Sequence, residues 1–174
     1  MTEIETDIRD TPEWRLFETV IVETATSLAG VKHDIHPLFE AMGSNKVRSG
    51  LITYVLTNGD TDLVENAMFG DGERAQDAMA VVLRGEVEPS ALLQDAFRYL
   101  YETVQWHADS FDAPDETKAH LWAAGAAIAF CLDEERIVHL CIDNANALGG
   151  TTLASLVSIT VARGIRPAWA RAKG

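Results

Sequence analysis

The sequence is short of the patterns that mark the common enzyme classes. It has no GxxxxGK[ST] loop to cradle phosphate, no GxGxxG behind a strand, no GxSxG nucleophile turn and no CxxC pair. No cofactor is expected of such a chain. Basic residues are also few: 14 Lys and Arg stand against 27 Asp and Glu, and the resulting formal charge of −13 repels phosphate backbones. Direct nucleic-acid binding is therefore disfavoured. The bases that gather do so at the end, where Arg163, Arg166, Arg171 and Lys173 are the charged residues of the last twelve, and a solvated terminus accounts for them most simply. Apolar runs stay below the ~18 residues of a membrane span, and Met1 to Asp10 lacks the apolar stretch of a secretory leader. A cytoplasmic location without membrane contact is the expectation. Cysteine is limited to Cys131 and Cys141, in adjoining apolar stretches. Both are expected to be reduced, buried and inert.

What the chain has in quantity is helical patterning. Hydrophobic residues make up 47% and charged residues 24% of its 174 positions, the composition of an ordinary globular domain. A domain of this size buries roughly 70% of the surface its unfolded chain exposes, so a core is expected without disulfides. After an acidic arm over residues 1–10, Thr11 caps and Pro12 opens a helix in which Trp14, Phe17 and Ile21 share one face, with Gly30 at its end. Pro37 to Met42 suits a short helix. Ser44 caps Asn45 to Thr57, Thr61 caps Asp62 to Phe69, and Glu73 to Arg84 and Pro89 to about Ala108 complete the first half.

The second half divides into three helices, Ala113 to Leu132, Asp133 to Leu148 and Thr151 to Arg163. Asp112 is the expected cap of the first, with Asp115 against its dipole; Asp133 and Thr151 are the expected caps of the others. Gly149-Gly150 and Gly164 supply left-handed ends, and Pro167 blocks continuation. The run Ala123 to Ala127 has so little side-chain bulk that another backbone can approach it closely. No stretch alternates with period two. The expected fold is all-α, a single-domain bundle of about seven helices over residues 11–168 packed as antiparallel hairpins, with 169–174 as a basic tail.

These C-terminal helices resemble an actinobacterial family, domain of unknown function 4192. The likeness lies in the alanine-rich helix Leu121 to Phe130, the acidic turn Leu132-Asp133-Glu134, the stretches Ala145-Asn146-Ala147-Leu148 and Leu153-Ala154-Ser155-Leu156, and the close Gly164-Ile165-Arg166-Pro167 with Trp169 beyond. The resemblance implies an actinobacterial or actinophage source and supplies no catalytic residue. The helix-turn-helix rhythm is also similar to tetratricopeptide pairs, without their fixed period of ~34 residues.

Two constellations bear on chemistry. His33-Asp34-Ile35-His36 brings two imidazoles and a carboxylate together, but catalytic zinc favours histidines at i and i+4 on a helix, and this spacing falls in a loop beside Pro37. His139 and Asp143 do stand at i and i+4, where a hydrogen-bonded pair at a helix interface is the plainer account. The leading expectation is a small acidic helical protein, a non-catalytic binding or adaptor module that meets a protein partner or a second copy of itself. Its candidate contact residues are Asp112, Asp115, Arg163, Arg166, Trp169 and Arg171. Two alternatives remain open: an acidic inhibitor that imitates nucleic acid on a defence or regulatory protein, and a metal-dependent enzyme of unknown class built on His33, Asp34 and His36.

Overall fold

Nine α-helices and no strand occur among the residues that the structure, a computed structural model, describes: 7–28, 36–86, 88–91, 94, 95, 98 and 112–174. A 3-10 turn, Ile8–Asp10, leads into α1 (Pro12–Leu28), α2 (His36–Gly43), α3 (Asn45–Leu56), α4 (Thr61–Phe69) and α5 (Gly72–Arg84). The second half holds α6 (Asp115–Cys131), α7 (Glu135–Ala147), α8 (Thr152–Ala162) and α9 (Ala168–Ala172). The all-α expectation holds; the described helices number nine against about seven expected, and α9 is the one that falls where only a tail was expected. Gly30, Met1 to Thr6, and most of the helix expected from Pro89 to Ala108 lie outside the described residues.

Several helix ends follow the chemistry of their punctuation. The Thr11 hydroxyl accepts from Trp14 N, that of Ser44 from Val47 N, and that of Thr151 from Ala154 N at 3.0 Å, each satisfying an amide that has no partner inside its helix. At the other ends, Gly149 (φ 108°) and Gly164 (φ 69°) take the left-handed conformation. The next residues, Gly150 and Ile165, donate back to Ala145 and Thr160 in the six-to-one bond of a Schellman close.

Three expected caps are corrected. Asp60, not Thr61, caps α4 through Leu63 N at 3.1 Å. Asp112 lies two residues before Pro114, which stands at the cap position of α6 with no side-chain bond. Asp133 belongs to the end of α6 rather than the start of α7. Its φ is 61°, its N–H bonds Phe130 O, and Glu134 N bonds Ala129 O. Asp133 thus takes the left-handed position usually given to glycine, which short polar side chains tolerate.

Packing is centred on α6. Ala119 and Leu121 to Ala127 are all buried, as are Ala129, Phe130 and Cys131, so the helix has core on nearly every side, as expected of a helix apolar all round. It packs against α2, α3, α5, α7 and α8. The alanine run is what permits this, since small side chains let neighbouring axes come close. The largest share of contact is with α7, and α7 also meets α8, so the three form the unit expected of the C-terminal half. In the first half Trp14 and Phe17 stack at 5.2 Å between ring centroids, and Phe17 meets the edge of Tyr54. Burying side chains of that size stabilises by roughly 2–3 kcal/mol each.

The segment Pro167 to Ala170 is docked, while Arg171 to Gly174 are exposed. Pro167 is buried, Trp169 is half-buried, and Ala170 is 5% exposed. Trp169 N donates to Gly85 O at 3.0 Å, tying α9 to the end of α5. The Lys173 ammonium contacts the Glu88 carboxylate. None of the described helices is long and apolar enough to cross a membrane.

Candidate functional site

A cleft of about 500 Å³ opens where α3, α6 and the start of α8 meet, within the ~300–1,000 Å³ typical of small-ligand sites. Its centre is Arg48. Ser44 caps α3, so Arg48 sits one turn in, and helical side chains lean toward the N-terminus of their own helix. The guanidinium therefore reaches back past Asn45 to the end of α2. It donates to Met42 O at 2.5 Å and to Asn45 Oδ1 at 3.1 Å. Only 9% of the residue is exposed.

Both acceptors are neutral, and no carboxylate among the described residues lies within ion-pair distance of Arg48. Buried charges are ordinarily paired, because an uncompensated one costs several kcal/mol. The C-terminal carbonyls of α2 offset part of this, through roughly half a negative charge on that helix end. Burial pulls the Arg48 pKa below the ordinary arginine value, with Glu116 acting in the opposite sense.

α6 supplies His120 and, one turn before it, Glu116. The imidazole Nε2 and a carboxylate oxygen of Glu116 are 3.9 Å apart, with the carboxylate largely in solvent. Burial first, and repulsion from Arg48 second, push the His120 pKa below its usual value, and Glu116 opposes both. The shift favours the neutral imidazole, in which one ring nitrogen donates and the other accepts a hydrogen bond. From α8 come Thr151, Thr152, Leu153 and Leu156. The Thr151 hydroxyl serves Ala154 N, while the amides of Thr152 and Leu153 find no acceptor among the described residues. Such a rim can hold and orient a charged group. Arg48 stays protonated and transfers no proton.

The residues singled out from sequence fall elsewhere. Asp112 and Asp115 are exposed before and at the start of α6, Arg163 is exposed at the end of α8, and Arg171 is exposed on α9. Arg166 pairs through Nε with Asp133 Oδ1 at 3.0 Å and through a second nitrogen with Oδ2. Trp169 is engaged with Cys131 O. Arg166 and Asp133 border a second cavity of about 360 Å³ beside Phe130, Val138 and Val161, so an expected contact residue and an expected cap meet there as a clasp. His33 and Asp34 lie outside the described residues, and His36 is exposed at the first position of α2. The expected His139–Asp143 pair does not form. His139 lies 3.6 Å from Glu135, and Asn144 donates to Leu140 O.

Sequence reading missed Arg48 and His120 because nothing local connects them. One signal was present: Arg48 stands three and four residues before Leu51 and Ile52, on the apolar side of its own helix, where a charge calls for a reason.

Charge is distributed unevenly around this cleft. Exposed acids occur on α1, α2, α4, α5, α6 and α7, whereas α3, α8 and α9 carry none at all. Two of those three flank the cleft. The eleven residues of α8, Thr152–Ala162, contain no charge of either sign. Only Ala154 and Val157 of them are buried, while Leu156 is 46% and Ile159 51% exposed. These two stand one turn apart on the outer side.

No family model, curated protein or solved structure matches the chain.

Proposed function

We propose that this protein is a non-catalytic binding module whose docking surface is the outer face of α8. The observation that carries the reading is the pairing of Leu156 and Ile159, both about half-exposed, on a helix without a charged residue in a chain of net charge −13. Solvent-facing helix surfaces are ordinarily charged, and adjoining exposed apolar residues mark association sites. A neutral helix is also where an acidic body approaches another protein, or a second copy, with least repulsion.

The spread of exposed acids over six helices supports a solvated acidic surface ahead of the alternative of nucleic-acid imitation, which calls for one concentrated acidic face.

The test is the double substitution Leu156→Glu and Ile159→Glu, on side chains exposed enough for the fold to survive. The altered chain is expected to keep the helical signal and unfolding midpoint of the original. It is expected to lose the proteins that the unaltered chain captures from a host lysate, or its self-association in sedimentation. Unchanged capture and unchanged sedimentation by the double variant would remove α8 as the docking surface.

A further inference from the structure

We infer that the cleft around Arg48 is a binding site for a small oxyanion, a carboxylate or phosphate group carried by a low-molecular-weight ligand. Four observations converge on it. Arg48 is a buried cation whose hydrogen bonds go to two neutral oxygens, leaving three of its five donors unused among the described residues. The planar fork of a guanidinium matches the paired oxygens of carboxylate and phosphate. The cleft beside it has room for a ligand, at about 500 Å³. Two free amides at the start of α8, Thr152 and Leu153, border the same space and are suited to an anion at a helix N-terminus.

The surroundings agree in sign. α3 and α8 are free of acids in a chain otherwise rich in them. The second cation of α3, Lys46, stands over the Phe69 ring at 5.4 Å, so Arg48 is the cation of α3 that serves the cleft. Ile52, Leu153 and Leu156 give the body of a ligand an apolar wall, and Asn45, Ser49 and His120 give it hydrogen-bonding partners. One group opposes: Glu116, on the rim, contributes a negative charge that attracts Arg48 and competes with an incoming anion. That competition can be removed by mutation, since Glu116 is exposed and its replacement leaves the core alone.

The experiment follows the amide and arginine side-chain resonances of the full chain while inorganic phosphate, and separately hexanoate, are added at low ionic strength to ~50 mM, a range that detects weak oxyanion binding. Saturable shifts are expected at Arg48, Thr152 and Leu153 with at least one probe, and which probe saturates distinguishes phosphate from carboxylate. Glu116→Gln should tighten that binding about two- to fivefold, the worth of an exposed charge. Arg48→Lys, which keeps the charge and loses the fork, should weaken it about tenfold or more. Shifts that stay linear with both probes, or that Glu116→Gln leaves unaltered, would overturn the site and reduce Arg48 to a brace for the end of α2. Should Arg48→Lys fail to fold, the shift map and Glu116→Gln decide alone. Leu156 borders both the cleft and the outer face of α8, but the shift map, Glu116→Gln and Arg48→Lys all leave Leu156 and Ile159 unaltered, so failure here is distinguishable from failure of the docking surface.

Discussion

The indole Nε1 of Trp169 donates to the main-chain carbonyl of Cys131 at 2.8 Å. Cys131 is the last residue of α6, and the final four carbonyls of a helix lack partners within it. Here Ile128 O accepts from Leu132 N, Ala129 O from Glu134 N, and Phe130 O from Asp133 N, which leaves Cys131 O to the tryptophan. Trp169→Ala is expected to cost about 2–4 kcal/mol, combining lost packing with the loss of this hydrogen bond. Trp169→Phe retains most of the packing and should cost about 1–2 kcal/mol. Urea unfolding of the two variants checks the order; equal losses would show that the hydrogen bond contributes nothing.

Gly85 is where the end of α5 meets that same C-terminal segment. Its φ is 60°, and a Cβ there would lie 2.7 Å from Pro167 Cβ. Gly164 has a similar φ of 69° with nothing within 4 Å. Gly164→Ala should therefore cost about 1–2 kcal/mol from backbone conformation alone. Gly85→Ala should cost that and about 1–3 kcal/mol more, because α9 must shift. Thermal unfolding of both variants measures the gap, and a Gly85→Ala loss no larger than that of Gly164→Ala would deny the close approach.

Ser44, Thr151, Gly149 and Gly164 act within a few residues of themselves, so their roles could be read locally. Asp133 could not be read that way. An aspartate between two helices suits the cap of the second as well as the left-handed close of the first; here it takes the latter, with its carboxylate held by Arg166 from beyond α8. The same holds for Trp169, whose partner is on α6, so a terminal aromatic among basic residues looked like a free contact residue. The Arg48 cleft is the extreme case, assembled from α3, α6 and α8 by packing alone.

Cys131 and Cys141 make a prediction about reactivity. Neither forms a disulfide and both are at most 1% exposed, and burial pushes the Cys131 thiol up to about 12. Thiolate is the reactive form, so attack at neutral pH is disfavoured by burial at both and by ionisation at Cys131. A thiol-directed maleimide should leave both unlabelled in the native chain over the time in which it labels both in denaturant. Stoichiometric labelling of the folded protein would mean that the α6–α7 interface opens far more readily than its packing implies.

Asp133 offers the clearest test of pH dependence. Its hydrogen bonds from the Arg166 guanidinium hold its carboxyl below the usual range, with burial opposing and the charge of Arg166 reinforcing the shift. A carboxyl whose pKa is lower folded than unfolded binds fewer protons in the native state, so its contribution is fully present above the ordinary value near 4 and is lost as pH falls through the folded value. Asp133→Asn retains a side chain that tolerates φ 61° and removes the charge. The original chain should be the more stable of the two at neutral pH, and its advantage should shrink as pH drops below about 4. High salt should shrink it too, because Arg166 is exposed. Asp133→Ala loses the pair and also about 1 kcal/mol of backbone tolerance, at every pH. Unfolding free energies of the three chains across this range measure both components, and a gap between the original chain and the Asp133→Asn variant that does not change with pH would show that the Arg166 pair carries no stability.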